Sequence, residues 1–242
     1  MKKENIYLVL SILAASALAT SKVRKEFRQK KFDDDIRGKI KYTKKVLILG
    51  DSVARGYGTK IGGITKSLQE KMNIHFENLV IENLGIDGLT TKGLLEKIES
   101  RVWDKKIKES DLIIMNIGGN DLLRMFNEAG PKGVIKNFPQ VRSNFSKNIR
   151  AIVNELKEIN PNTMIFMNEL YDSMDKKNQF YGLSKIMITI WNSASSMENV
   201  VKVKTKIMKH KNGYWIDLVH PNEDGYEEMG DLIYQEIYKY LK

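Results

Sequence analysis

The chain contains no cysteine in 242 residues. That absence excludes disulfides, a cysteine nucleophile, thiolate metal sites and a lipid-modified N-terminal cysteine together. It leaves the redox compartment open. Acidic charge is also in short supply, with 30 Asp+Glu against 40 Lys+Arg and a net charge of +10. The imbalance is local. Residues 1–31 hold eight basic residues (Lys2, Lys3, Lys22, Arg24, Lys25, Arg28, Lys30 and Lys31) against Glu4 and Glu26, so the remainder is only +4. The body is therefore expected to carry a solvated lysine-rich surface and not a nucleic-acid face. No repeat or low-complexity block occurs. The first glycine-rich loop lacks a Walker lysine and the G-x-G-x-x-G spacing, which sets a nucleotide site aside. No histidine–carboxylate cluster suggests a metal, and no cofactor is implied.

What is present begins with an unusual N-terminus. Asn5 to Ser21 is a run of 17 residues without a charge, preceded by Lys2 and Lys3. It is short for a membrane-spanning helix, which needs roughly 20 apolar residues, and slightly long for a cleaved signal. Ala17-Leu18-Ala19 has the small-x-small form of a cleavage site. Residues 1–21 are expected to be a signal peptide or membrane anchor. Residues 22–45, with the triplet Asp33-Asp34-Asp35 and no core periodicity, read as a charged linker, partly helical at most. Residues 46–242 form the domain. Lys2 and Lys3 favour a membrane-held protein with its domain outside the cytoplasm. The six basic residues from Lys22 to Lys31 favour the reverse, and cleavage would release a form beginning at Thr20.

From Val46 onward, apolar runs alternate with amphipathic stretches. Strands are predicted at Val46–Leu49, Leu79–Leu84, Leu112–Ile117, Met164–Met167 and Val200–Val203. Helices are predicted at Ile64–Met72, Thr90–Val102, Ser143–Ile159 and Lys185–Met197, with a last helix from Asn222. Continuous apolar strands alternating with helices imply an α/β fold with a parallel sheet covered on both faces. Sites in such sheets lie at the carboxyl ends of the strands.

Four polar segments belong to that rim. Gly50-Asp51-Ser52 follows the first strand, Asn83-Leu84-Gly85 the second and Gly118-Gly119-Asn120-Asp121 the third. Asp217-Leu218-Val219-His220-Pro221 precedes the last helix. Ser52 supplies a hydroxyl, a poor nucleophile until a base takes its proton. In an Asp-x-x-His turn the Asp217 carboxylate can meet His220 Nδ1 and leave Nε2 facing the serine. The Asn120 side-chain amide and the backbone N–H groups of Gly85 and Ser52 can serve as an oxyanion hole, with Gly85 leaving room for the substrate oxygen. Each segment alone has a bland reading as a turn or cap. Asp51 and Asp121 are assigned such structural roles. His75 and His210 are read as surface residues.

In order and spacing, these four segments resemble the diagnostic blocks of the SGNH (GDSL-type) hydrolases. The resemblance covers about Val46 to Leu241, and the first block reads Gly-Asp-Ser-Val in place of Gly-Asp-Ser-Leu. It implies a flavodoxin-like three-layer α/β/α sandwich. Ser52, Gly85, Asn120 and His220 would then be the four namesake residues, and Asp217 would complete the triad.

The resulting expectation is a serine esterase acting on small acyl or acetyl esters, those of cell-envelope glycans among them. Two alternatives stand beside it: a lysophospholipase or acyl-thioesterase, and a membrane-anchored binding protein that keeps the fold without turnover. Acyl-chain length would depend on loops such as Phe126–Val141 and Asp172–Leu183. Phe126, Phe138, Phe180 and Tyr181 are candidate pocket residues there, with core packing the commoner use of such side chains. Glu169 to Asp172, at the end of the fourth strand, are further candidates to line the pocket.

Overall fold

The computed structural model describes residues 3–60, 62–208 and 213–242, and of residues 3–20, 131 and 132 the backbone only. Helix α1 (Lys3–Ile40) leads into β1 (Lys45–Gly50), α2 (Ser52–Arg55), α3 (Ile64–Met72) and β2 (Val80–Asn83). The chain continues through α4 (Thr91–Glu99), α5 (Asp104–Glu109), β3 (Leu112–Asn116), α6 (Gly119–Ile159) and β4 (Met164–Asn168). It closes with α7 (Tyr181–Ala194), β5 (Val201–Val203) and α8 (Glu223–Tyr238). The five strands form one parallel sheet in the order β2-β1-β3-β4-β5.

Strand side chains alternate between two cores. Val46, Ile48, Ile114 and Phe166 face the layer of α3 and α8, with Leu68, Met72, Met229 and Ile233. Leu47, Leu49, Ile113, Met115 and Ile165 face α4, α6 and α7, with Leu94, Ile149, Ile152 and Trp191. The central strands are buried on both faces because helices cover both, which is why they read as unbroken apolar runs. The fold is the α/β/α sandwich that the sequence pattern and the resemblance imply. Each fully buried Leu or Ile contributes roughly 1.5–3 kcal/mol.

Two segments depart from expectation. Residues 22–40, read as linker, continue one long helix. Ile36 and Ile40 are fully buried in the α3/α8 core, with Phe32 packed against it, so the last turns of α1 belong to the domain. The apolar spacing 32, 36, 40 is one face of a helix, hidden among charges. The segment 126–141 is likewise helical and not a loop, because α6 begins at Gly119 and runs through it, with a single non-helical residue at Gly130 (φ 61°, ψ 177°). Among the described residues no helix is long and apolar enough to cross a membrane. The side chains of 3–20, where the anchor or signal is expected, lie outside the described set, as does His210. His75 is exposed, stacked on Tyr234 and Tyr238 of α8.

Candidate active site

The four polar segments meet at the carboxyl ends of the strands, and glycine makes the meeting possible. Gly50 ends β1 with φ 148°, and a Cβ there would lie 1.9 Å from the Asn116 carbonyl oxygen of β3. Its own carbonyl accepts from Ile86 N–H at 3.0 Å, which draws the loop after β2 against β1. That loop then passes so close to α2 that a Cβ on Gly85 would sit 2.4 Å from Arg55 N. The absence of a side chain at 85 therefore serves backbone packing beneath the Ser52 loop, a reason the sequence reading did not give.

Ser52 is the first residue of α2, with Asp51 as N-cap: the Asp51 carboxylate accepts from Val53 N–H at 3.0 Å. The first N–H groups of a helix have no partner within it, so the Ser52 N–H has no acceptor inside α2. The Ser52 hydroxyl lies 2.9 Å from His220 Nε2. On the other side of the ring, His220 Nδ1 lies 2.7 Å from Asp217 Oδ2. Asp217 Oδ1 accepts from the backbone N–H groups of Val219 at 2.7 Å and His220 at 2.8 Å. Burial alone would push the Asp217 carboxyl up, but the bonds from the His220 ring and these two N–H groups outweigh it and hold it below its ordinary value. It is thus a carboxylate at neutral pH, able to accept a hydrogen from His220 Nδ1.

The Asp217–His220 turn is fixed from outside. Ile216 N–H donates to the His220 carbonyl at 2.9 Å, and Trp215 bridges Pro221. From the end of β4, the Tyr171 hydroxyl donates to Val219 O at 2.7 Å and the Ser173 hydroxyl to Leu218 O. Burial raises the Tyr171 phenol well above its ordinary value, so it remains a neutral donor. Of the β4-end residues, Tyr171 reaches the turn. Glu169 is buried against Lys202 and Lys206, and Asp172 accepts from the Ser184 hydroxyl. Tyr57 packs on the His220 ring with centroids 4.4 Å apart, and a two-bond Arg55–Asp87 pair stands beside it.

The remaining candidate donors are placed as follows. The Gly85 N–H is directed to Asn83 Oδ1 at 2.9 Å, and the Asn83 amide is itself locked by donating to Ala54 O and Thr65 Oγ1. Asn120 donates through Nδ2 to Leu89 O at 3.0 Å, which uses one of its two amide hydrogens. Asp121 is not a cap of its own helix, which starts at Gly119 with Gly118 as its N-cap. It accepts from the N–H and hydroxyl of Thr91, placing a carboxylate on the first turn of α4. Among the pocket candidates, Phe138 is buried in the core, whereas Phe126 and Phe180 are exposed.

Two features went unread in the sequence. Tyr57 sits in the continuation of the serine block, and only its position signalled a link to the site. Asp51 is only 3% exposed, and burial raises its carboxyl to about 6 despite bonds from Val53 N–H and Asn116 Nδ2. Asn116 in turn accepts from Asn168 Nδ2, so a buried polar chain crosses the ends of β1, β3 and β4. Among the described residues no group of three or more His, Cys, Asp or Glu side chains gathers as a metal set.

Comparison with known proteins agrees with this architecture. The chain is 23% identical over 251 residues to the uncharacterized protein YpmR of Bacillus subtilis, covering 96% of this chain and 93% of that one. The fold resembles the lipase Lip_vut3 from a goat rumen metagenome (TM-score 0.73, 22% identity, covering 83% of this chain and 100% of that one). It also resembles the psychrotrophic esterase EstA of a Pseudoalteromonas species (TM-score 0.57, 24% identity, 81% and 98% covered). A third similar structure is the acetylxylan esterase Axe2 of Geobacillus stearothermophilus (TM-score 0.58, 18% identity, 82% and 96% covered). At these identities the structural likenesses carry the fold. Residues 46–233 match the GDSL-like lipase/acylhydrolase family, so the chain belongs to that family and is a carboxylic ester hydrolase.

Proposed function

We propose that Ser52 attacks the ester carbonyl, with His220 as general base and Asp217 as the group that orients and stabilises the imidazolium. The observation that carries this reading is the unbroken contact chain from Ser52 Oγ through the His220 ring to Asp217, at 2.9 and 2.7 Å. In the first step the Ser52 proton passes to Nε2 as Oγ bonds to the carbonyl carbon. The same proton then goes to the leaving alkoxide, and water repeats the sequence on the acyl-enzyme. The oxyanion is received by the Ser52 N–H and the second amide hydrogen of Asn120. The Gly85 N–H joins them through a three-centre bond shared with Asn83 Oδ1.

The substrates are small acyl or acetyl esters on larger carriers, glycans among them. Support comes from the open rim, where Asp217 is 46% and Leu218 86% exposed, which leaves room for a bulky leaving group. The acetylxylan esterase Axe2 shares the fold. The exposed Leu218 beside His220 favours a second reading, hydrolysis of longer acyl chains such as those of lysophospholipids or acyl thioesters. A chain-length series of nitrophenyl esters, run beside acetylated glycans, decides between them. Rates that peak at acetyl support the first reading, and rates that rise past octanoyl overturn it.

The protein is further proposed to be held at the membrane by its N-terminal segment, with the domain outside the cytoplasm. The 17-residue uncharged run behind Lys2 and Lys3 supports this. Protease shaving of intact cells should remove the domain without lysis. Full protection would reverse the orientation, and a soluble form beginning at Thr20 would show cleavage.

A further inference from the structure

Helix α7 is anomalous in a chain with 40 basic and 30 acidic residues. Its 14 residues carry one charge, Lys185, and no acid. The inward face is an ordinary core face: Trp191 stacks on Phe145 with centroids 4.2 Å apart, and the Asn192 amide closes two bonds with the Leu170 backbone. The outward face is apolar as well. Leu183 is 38%, Ile186 60% and Ile190 41% exposed, and at positions i, i+3 and i+7 they form one stripe. Thr189 and Ser193 add uncharged residues to the exposed face, and the charges that reach the helix are the exposed Lys185 and the Arg142 guanidinium, which donates to Ile190 O at 3.0 Å and Ser193 Oγ at 3.1 Å. A stripe of branched aliphatics facing water marks a contact surface when it is contiguous, as single exposed apolar residues do not.

Three further observations fix what covers it. First, the charges around the stripe are basic. Lys176 and Lys177 lie just before α7 and Lys185 lies on it. The acids at the two ends are engaged: Asp175 accepts from Lys177 N–H, and Glu198 pairs with Arg28. Second, that Arg28–Glu198 pair joins the far end of α7 to α1. From Arg28 back to Ser21, where the uncharged run ends, is seven residues, about 10 Å along a helix. Lys22, Arg24 and Lys25 lie in that interval. Third, the near end of α7 is tied to the site. The Ser184 hydroxyl donates to Asp172 at 2.9 Å, and the next residue, Ser173, holds Leu218 in the Asp217–His220 turn.

From this we infer that the outward face of α7 is a membrane-contact surface. It lies against an anionic bilayer with Leu183, Ile186 and Ile190 entering the acyl boundary and the lysines at the headgroups. The inference goes beyond the ester-hydrolase reading and does not depend on which residues perform the chemistry. It means that the domain does not hang freely from its N-terminal segment but docks by one helix, with the mouth of the site next to the lipid surface.

The lack of cysteine makes a direct test available, because any introduced cysteine is the sole labelling site. Full-length protein carrying an environment-sensitive fluorophore at Thr189→Cys, or at Glu70→Cys on α3 as control, is reconstituted into phosphatidylcholine/phosphatidylglycerol vesicles containing lipids with a quencher on the acyl chain. The expected result is a blue shift and strong quenching at 189 and neither at 70. The triple variant Leu183→Gln, Ile186→Gln, Ile190→Gln should shift the ratio of quenched to unquenched label at 189 about tenfold or more toward unquenched. It should keep its urea midpoint and its rate on a soluble short-chain nitrophenyl ester. Quenching at neither position, or equally at both, would overturn the inference. So would a blue shift at 189 without vesicles, which would show the stripe covered by a second copy or by the chain's own N-terminal run.

Discussion

Asp51 gives the sharpest physical test of the nucleophile loop. Its carboxyl is moved from 3.8 to about 6, burial being the largest cause and the bonds from Val53 N–H and Asn116 opposing it. The upward direction fixes the sign of the linkage. Between about pH 4 and 6 the folded chain holds a proton on Asp51 that the unfolded chain has lost, so stability falls as pH rises through that window and is level on either side. A displacement of roughly two units at about 1.4 kcal/mol each makes the ionised carboxylate cost about 3 kcal/mol at pH 7. Asp51→Asn keeps an oxygen to accept from Val53 N–H but cannot titrate. Urea unfolding of both chains at several pH values between 4 and 7.5 reads the difference. Groups common to the two chains cancel, and the variant should gain on the parent by about 2–3 kcal/mol across the window. A difference that stays constant with pH would refute the argument, because it would mean that the folded structure does not shift this carboxyl.

Ser52→Ala should abolish ester hydrolysis with an unchanged urea midpoint, and His220→Ala should lower kcat by on the order of 10³-fold or more. Turnover retained in either purified variant contradicts the proposed roles. Asn120→Ala should reduce kcat about 10²–10³-fold with little change in KM. It should also cost about 0.5–1.5 kcal/mol of stability for the lost bond to Leu89 O, and a change confined to KM would make Asn120 a substrate-binding residue. Gly85→Ala forces a Cβ to within 2.4 Å of Arg55 N and should destabilise the chain by about 1–3 kcal/mol while lowering activity. An unchanged midpoint would show that the loop after β2 moves freely away from α2.

The central strands were legible because burial on both faces leaves no choice of residue: the predicted strand at Leu112–Ile117 and the observed β3 at Leu112–Asn116 differ by one position. The start of the last helix was legible through local chemistry, since Asn222 caps it by accepting from Gly225 N–H. The end of α1 was not. Its three apolar residues 32, 36 and 40 are outnumbered by charges, and only their place in the α3/α8 core, built from residues far along the chain, shows that they are core. The same limit applies at the site. Ser52, Asp217 and His220 carry their chemistry in their identity, so their convergence could be expected. The support from Tyr171 depends on how two loops pass each other, which no local pattern encodes, whereas the bond from Gly85 N–H to Asn83 joins positions two apart in one turn. The stretch 126–141, read as a loop, is helical, and one break at Gly130 accommodates it within α6.

Ser52 and His220 are 168 positions apart, so the contact between them depends on everything folded in between. The nucleophile side is rigid. It is clamped between Gly50 and Gly85 in the middle of the sheet, where a Cβ has no room. The histidine side is a short turn beyond the last strand, and its supports come from elsewhere: the Tyr171 and Ser173 hydroxyls at the end of β4 and the capped start of α8. The Ser52–His220 bond is therefore a readout of how β4 and α8 hold the turn and contributes little to holding it. Local opening follows the weakest supports first. Loosening the Tyr171 or α8 side would separate base from nucleophile while the double-faced core of β1, β3 and β4 stays closed.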